Sequence, residues 1–180
     1  MVIILSFKKV KILAVFGIFI LSFIAHNIYQ IFPNILVSFF FPINESIFVH
    51  MKIIFTSKII YGLIDYLLLV KNKIYFNNFS FQLFFTGFIS ILIFLVIYLP
   101  IHYLFSENLI VTLGILFITY IIGQFISSYL LKGPEFKFLN IISIFLIVLV
   151  YINFIVLTYT FDKDDFFYDT SNVSIYIDNK

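Results

Sequence analysis

The 180-residue chain contains no cysteine. That excludes disulfides, thiolate catalysis and cysteine-ligated zinc or iron–sulfur centres, and with them any disulfide-linked partner. Tryptophan and arginine are absent too, so all eleven basic residues are lysine. Charged residues make up only 11% of the chain, against about 25% in an average soluble protein. No basic stripe is interleaved with exposed aromatics, so nucleic-acid binding has no support. What fills the space is apolar: 63% of the residues are hydrophobic and phenylalanine alone occurs 27 times. An aqueous monomer of this size would expose far too much apolar surface. Disorder needs low hydrophobicity and high charge, and is excluded as well.

The scarce charges divide the sequence. Residues 12–44, 74–106, 108–131 and 138–161 carry none, and a fifth apolar segment, 46–70, carries a few. A helix over all of 12–44 would be about 50 Å long, well beyond a hydrocarbon core of about 30 Å. Pro33 is the natural break. Five spans are expected, at about 10–32, 46–70, 80–99, 108–131 and 138–161. Asn44 is read as the N-cap of the second. Pro100 ends the third, and Lys132-Gly133-Pro134 ends the fourth. Residues 33–43 are too short to cross and are punctuated by Pro33 and Pro42, as in an interfacial or re-entrant hairpin. The three lysines before the first apolar run give it the look of a signal peptide. No small-x-small cleavage site follows, so it is read as an uncleaved first helix.

Lysine placement sets the orientation. With the N-terminus inside, Lys8, Lys9, Lys11, Lys71, Lys73, Lys132 and Lys137 all fall on the cytoplasmic side. The opposite loops hold no lysine, and the acidic tail, 162–180, falls outside. The expected fold is thus an all-α bundle of five transmembrane helices in a bacterial-type cell membrane, N-terminus in and C-terminus out. Residues 1–161 form the membrane domain.

The second span is the informative one. It carries Glu45, His50, Lys52, Lys58 and Asp65, and at 100° per residue these form two stripes. Glu45, Lys52 and Thr56 share one; His50, Ser57, Lys58, Tyr61 and Asp65 lie along the other. A mid-bilayer lysine costs roughly 2.5–3.5 kcal/mol, while each Leu, Ile, Phe or Val returns about 0.3–0.6. The fourteen such residues in 47–70 return about 6 kcal/mol in all, so the polar stripes need other helices or a wet cavity to face. Lys52 is expected to lean toward Glu45 at the outer interface, and Asp65 to lie near Lys71 and Lys73. Lys58 is either a structurally paired charge or one that lines a pathway.

All three histidines, His26, His50 and His102, fall toward the outer side, with Glu45. Imidazole and carboxylate together suit a divalent transition metal, which makes these four the candidate ligands. No close ligand pair such as H-E-x-x-H supports them, and no cofactor is assigned. Ala14, Ile18, Ser22 and His26 form a packing stripe on the first span. Thr119, Gly123 and Ser127 form a small-residue stripe on the fourth.

The stretch Pro42-Ile43-Asn44-Glu45-Ser46, followed by His50 and Lys52, resembles a motif of a family of small bacterial multi-span membrane proteins catalogued as a domain of unknown function. The family pattern reads approximately Pro-x-Asn-Glu-Ser-x-x-Glu-His-x-Lys, and Phe166-Phe167-Tyr168-Asp169 resembles its C-terminal region. The resemblance singles out Asn44, Glu45, Ser46, His50 and Lys52; Val49 stands where the family pattern has an acid. It implies a fold and a candidate site, and no activity. Three functional classes follow from the residues. One is a transport or substrate-capture component using the polar stripe of the second span. Another is a membrane-embedded, metal- or His/Glu-dependent enzyme. The third is a structural or sensor subunit, in a homo- or hetero-oligomer. The lipid bilayer is the one partner common to all three.

Overall fold

A computed structural model describes residues 5–43, 46–105 and 108–160. Among them are six helices and no strand: α1 (Phe7–Ile31), α2 (Ile35–Phe40), α3 (Ile47–Lys71), α4 (Phe79–Phe105), α5 (Leu109–Lys132) and α6 (Lys137–Thr160). All but α2 are long and apolar enough to cross a membrane. They match the five expected spans, with ends displaced by a few residues except at α4.

Two expected boundaries change. Helix α4 continues through Pro100 to Phe105. A proline removes one N–H, but a helix in an apolar environment has no water to turn to, so its remaining backbone bonds favour continuing. His102 consequently sits on the last turn of α4 rather than in a loop. At the start of α3 the N-cap residue is Ser46, with extended backbone; Asn44 and Glu45 lie outside the described residues, as do Glu107 and the acidic tail.

Helices α1, α3, α4 and α5 form a closed ring, each packed on the next, with α5 returning to α1. Helix α6 lies outside the ring against α4 and α2 and buries only Ser143 and Phe154. The ring is apolar outside and polar inside: Val96, Phe125 and Ile110 are at least 70% exposed, whereas Lys11, Lys58, Asp65, Gln82, Ser90 and Thr119 are buried. This arrangement is compatible with a membrane bundle, in which a charge facing hydrocarbon costs far more than one facing other helices. Helix α3 carries the most charge of the five spans and is also the most buried, with fourteen buried residues. Close approach depends on glycine at two crossings. A Cβ on Gly17 would overlap the Tyr61 ring, and one on Gly123 would stand 2.7 Å from Ser90 Oγ.

One end of the ring collects the lysine-bearing termini. Helix α3 ends there in a Schellman turn, with Lys73 at positive φ and Ile74 N–H donating to the Leu69 carbonyl (3.0 Å). Asn77 and Asn78 then satisfy the end of α5: Asn77 N–H reaches Leu131 O at 2.8 Å, and Asn78 Nδ2 reaches Leu130 O and Pro134 O. Lys132 lies over the Phe7 ring at the same end. The opposite end, where α1 stops and α3 begins, carries the histidines.

The segment after Pro33 turns back against the bundle, where α2 packs on α6, α1 and α3. Asn34 caps α2 by accepting from Val37 N–H (3.0 Å). The Phe40 carbonyl accepts from Thr56 Oγ1 at 2.9 Å. Thr56 is nine residues into α3, so this bond lies about 13 Å below the helix start. Phe40 also packs edge-on to Tyr151 of α6 (5.1 Å), at a similar depth from that helix's end.

Candidate functional site

The two stripes on α3 serve different neighbours. Lys52 and Thr56 face α2. Lys52, 1% exposed, donates to the Ser38 carbonyl at 2.6 Å and to Thr158 Oγ1 at 2.9 Å. Carbonyls in the last turn of any helix lack intrahelical donors. Lys52 and Thr56 supply the missing donors for α2. The expected Glu45 partner lies outside the described residues; the described partners of Lys52 are a backbone carbonyl and a hydroxyl.

The other stripe faces the ring interior, which is polar at successive depths from the histidine end to the lysine end. Nearest the histidine end is a cavity of about 460 Å³, lined by His26, His50, Tyr98 and Ser22 among largely apolar neighbours such as Ile53 and Leu116. The His50 ring is firmly oriented. Its Nδ1–H donates to the Ser46 carbonyl (3.1 Å), and it stacks on Phe94 and Tyr98 at 5.7 and 5.6 Å between centroids. Since a carbonyl only accepts, that bond puts a proton on Nδ1 and makes Nε2 the acceptor of the neutral ring. Tyr98 stacks in turn on His102, with its hydroxyl 3.4 Å from His102 Nδ1. Thus His26 and His50 share the cavity wall, and His102 is joined to it through Tyr98. Among the described residues, no three His, Asp or Glu side chains converge as a metal site.

Below the cavity, Ser22 Oγ donates to the Ile18 carbonyl and so accepts from the buried Tyr120 hydroxyl at 2.6 Å. One turn further lies Lys58, 2% exposed, whose Nζ has no hydrogen-bond partner. Ser57 Oγ, Ser90 Oγ, Thr119 Oγ1 and Gln124 Oε1 are likewise buried and unmatched. Lys58 Nζ and Ser90 Oγ both lie within 3.3 Å of the point a Cβ on Gly123 would occupy, so the missing side chain lets them meet α5. Unmatched buried polar groups are rare, and each carries a desolvation cost of about 1–3 kcal/mol.

Toward the lysine end, Asp65 departs from its expected neighbours. Its Oδ2 pairs with Lys11 Nζ at 2.5 Å, not with Lys71 or Lys73. Lys11 also donates to Ser127 Oγ (3.0 Å), which donates to Gln82 Oε1 (2.6 Å). This knot ties all four ring helices together. Asp65 Oδ1 remains unmatched.

A family model now meets this geometry. The chain belongs to the family of unknown function DUF6512, whose model covers residues 1–175. All six helices and every interior polar group fall within that range. No curated protein and no solved structure matches the chain.

The sequence reading missed Lys11, which it assigned to the cytoplasmic flank, together with Gln82, Ser90, Gln124 and the Ser22–Tyr120 pair. Two signals were present. Extending the Ala14–Ile18–Ser22 stripe by three residues toward the N-terminus reaches Lys11. Gln82, Thr86 and Ser90 recur every four residues along α4, one face of a helix.

Proposed function

We propose that this is a multi-pass protein of a bacterial-type cell membrane that admits a small solute from the histidine-end cavity into the polar interior of the ring, as a transport or substrate-capture component. The observation that carries this reading is the unmatched polar group around Lys58, about 8 Å along α3 below the cavity floor at Ile53. A purely structural core would pair its lysine or dispense with it. The Tyr120–Ser22 bond lies between the two levels and would open for passage. Orientation is N-terminus in and C-terminus out, supported by the gathering of Lys8, Lys9, Lys71, Lys73, Lys132 and Lys137 at one end.

The absence of native cysteine makes the test clean. The Ser90→Cys and Thr119→Cys variants, in intact cells, are exposed to a membrane-impermeant thiol reagent. Labelling from the outer face supports a solute path; protection of both from either face of the membrane overturns it. The Asn72→Cys variant should label only from the cytoplasmic face, and labelling from outside would reverse the orientation.

A further inference from the structure

We propose that Lys58, with the hydroxyls of Ser57, Ser90 and Thr119, binds a small monovalent anion such as chloride or nitrate inside the four-helix ring. The inference rests on the reading of this interior as a solute chamber and names the solute's class.

Charge balance is the first argument. The described residues contain two carboxylates, Asp65 and the exposed Glu135. The ring interior holds two lysines, Lys11 and Lys58. Lys11 is paired with Asp65 in direct contact, which leaves Lys58 without a carboxylate or any other hydrogen-bond partner in contact among the described residues. Lys52 does not alter this count, because it faces the α2 carbonyls outside the ring. A lone ammonium in a low-dielectric interior attracts a counter-ion strongly, and hydrocarbon supplies none.

Donor chemistry is the second argument. The ammonium offers N–H donors, and the hydroxyls of Ser57, Ser90 and Thr119, buried and unmatched, are rotors with a proton free to donate. Gly123 allows Lys58 Nζ and Ser90 Oγ to converge on one point beside α5. Gln124 Oε1 and Asp65 Oδ1 are acceptors and would take water protons instead. One cation matches one negative charge, so a divalent oxyanion would leave the chamber net negative.

The test uses the full chain, purified in lipid nanodiscs, and reads the thermal unfolding midpoint in sodium chloride, nitrate or gluconate at matched ionic strength. Expected is a rise of several degrees in chloride or nitrate that saturates with concentration, and no such rise in gluconate. In Ser90→Ala the half-saturating concentration should increase by about fivefold. Lys58→Met should lose the anion dependence and unfold at a higher midpoint than the native chain in gluconate, because its buried charge is gone. Equal midpoints for the native chain in all three salts would overturn the proposal, as would an unchanged anion dependence in Lys58→Met. Labelling of Thr119→Cys without anion dependence would retain the solute path and discard the anion. Anion dependence without labelling would retain the anion as a bound structural ion and discard the path.

Discussion

Lys11→Met removes the cation from the polar knot at the lysine end of the ring, and its cost separates an ion pair from an ordinary hydrogen-bond contact. In the native chain Lys11 and Asp65 are 5% and 3% exposed and in direct contact. Removing Lys11 strands the Asp65 carboxylate with both oxygens unmatched, since Oδ1 already has no partner. Ser127 loses one donor but keeps its bond to Gln82. Hydrogen bonds between membrane helices average about 0.6 kcal/mol and reach about 1.7. Breaking a buried ion pair by deleting one partner costs about 3–5 kcal/mol, a factor of about 10² to 10³·⁵ in the folded-to-unfolded ratio. The double variant Lys11→Met/Asp65→Leu removes the stranded charge and should recover most of that loss. The assay is reversible unfolding in mixed micelles with increasing denaturing detergent, for the native chain, both single variants and the double. The coupling energy of the cycle then isolates the pair. A loss below about 1.7 kcal/mol for Lys11→Met, or a double variant no more stable than the worse single one, would refute the claim that this contact is a buried ion pair.

Other perturbations follow from the same geometry. Lys52→Met leaves the Ser38 carbonyl without its donor and should cost about 1–3 kcal/mol while loosening α2, read as faster thiol labelling of a Ser38→Cys probe than in the native background. Gly17→Val drives a side chain into Tyr61 and should separate α1 from α3, lowering stability by more than about 2 kcal/mol. Gly114→Ala, with open space around it, should change stability by less than about 1 kcal/mol and favour the helix; the same micelle assay reads both. Tyr120→Phe removes the bond to Ser22 and should speed labelling of Thr119→Cys several-fold if that bond closes the path.

How legible the fold was depended on which property carried the signal. Hydrophobic length and lysine position are local, and they located five helices to within a few residues at nine of ten ends. Pro100 misled because its usual meaning assumes water is available to the broken helix. The α3 stripes were also legible, since 100° per residue is a property of one helix: Lys52 with Thr56, and Ser57, Lys58, Tyr61 and Asp65, do face two different neighbours. Their partners were not legible. Lys11 and Asp65 are 54 residues apart, and proximity to Lys71 in sequence carried no weight once α1 packed on α3.

The sequence by itself determined that this chain is helical and apolar, with membrane-length spans and most of its span charge on one helix, because composition and period act residue by residue. Only the tertiary structure decided that residues 33–43 turn back into the bundle, that Lys52 is held by a backbone carbonyl and a hydroxyl, and that Lys58 has no hydrogen-bond partner. Those outcomes depend on which helices close into a ring and how deep each side chain lands. Pairing of buried charges is a property of that closure.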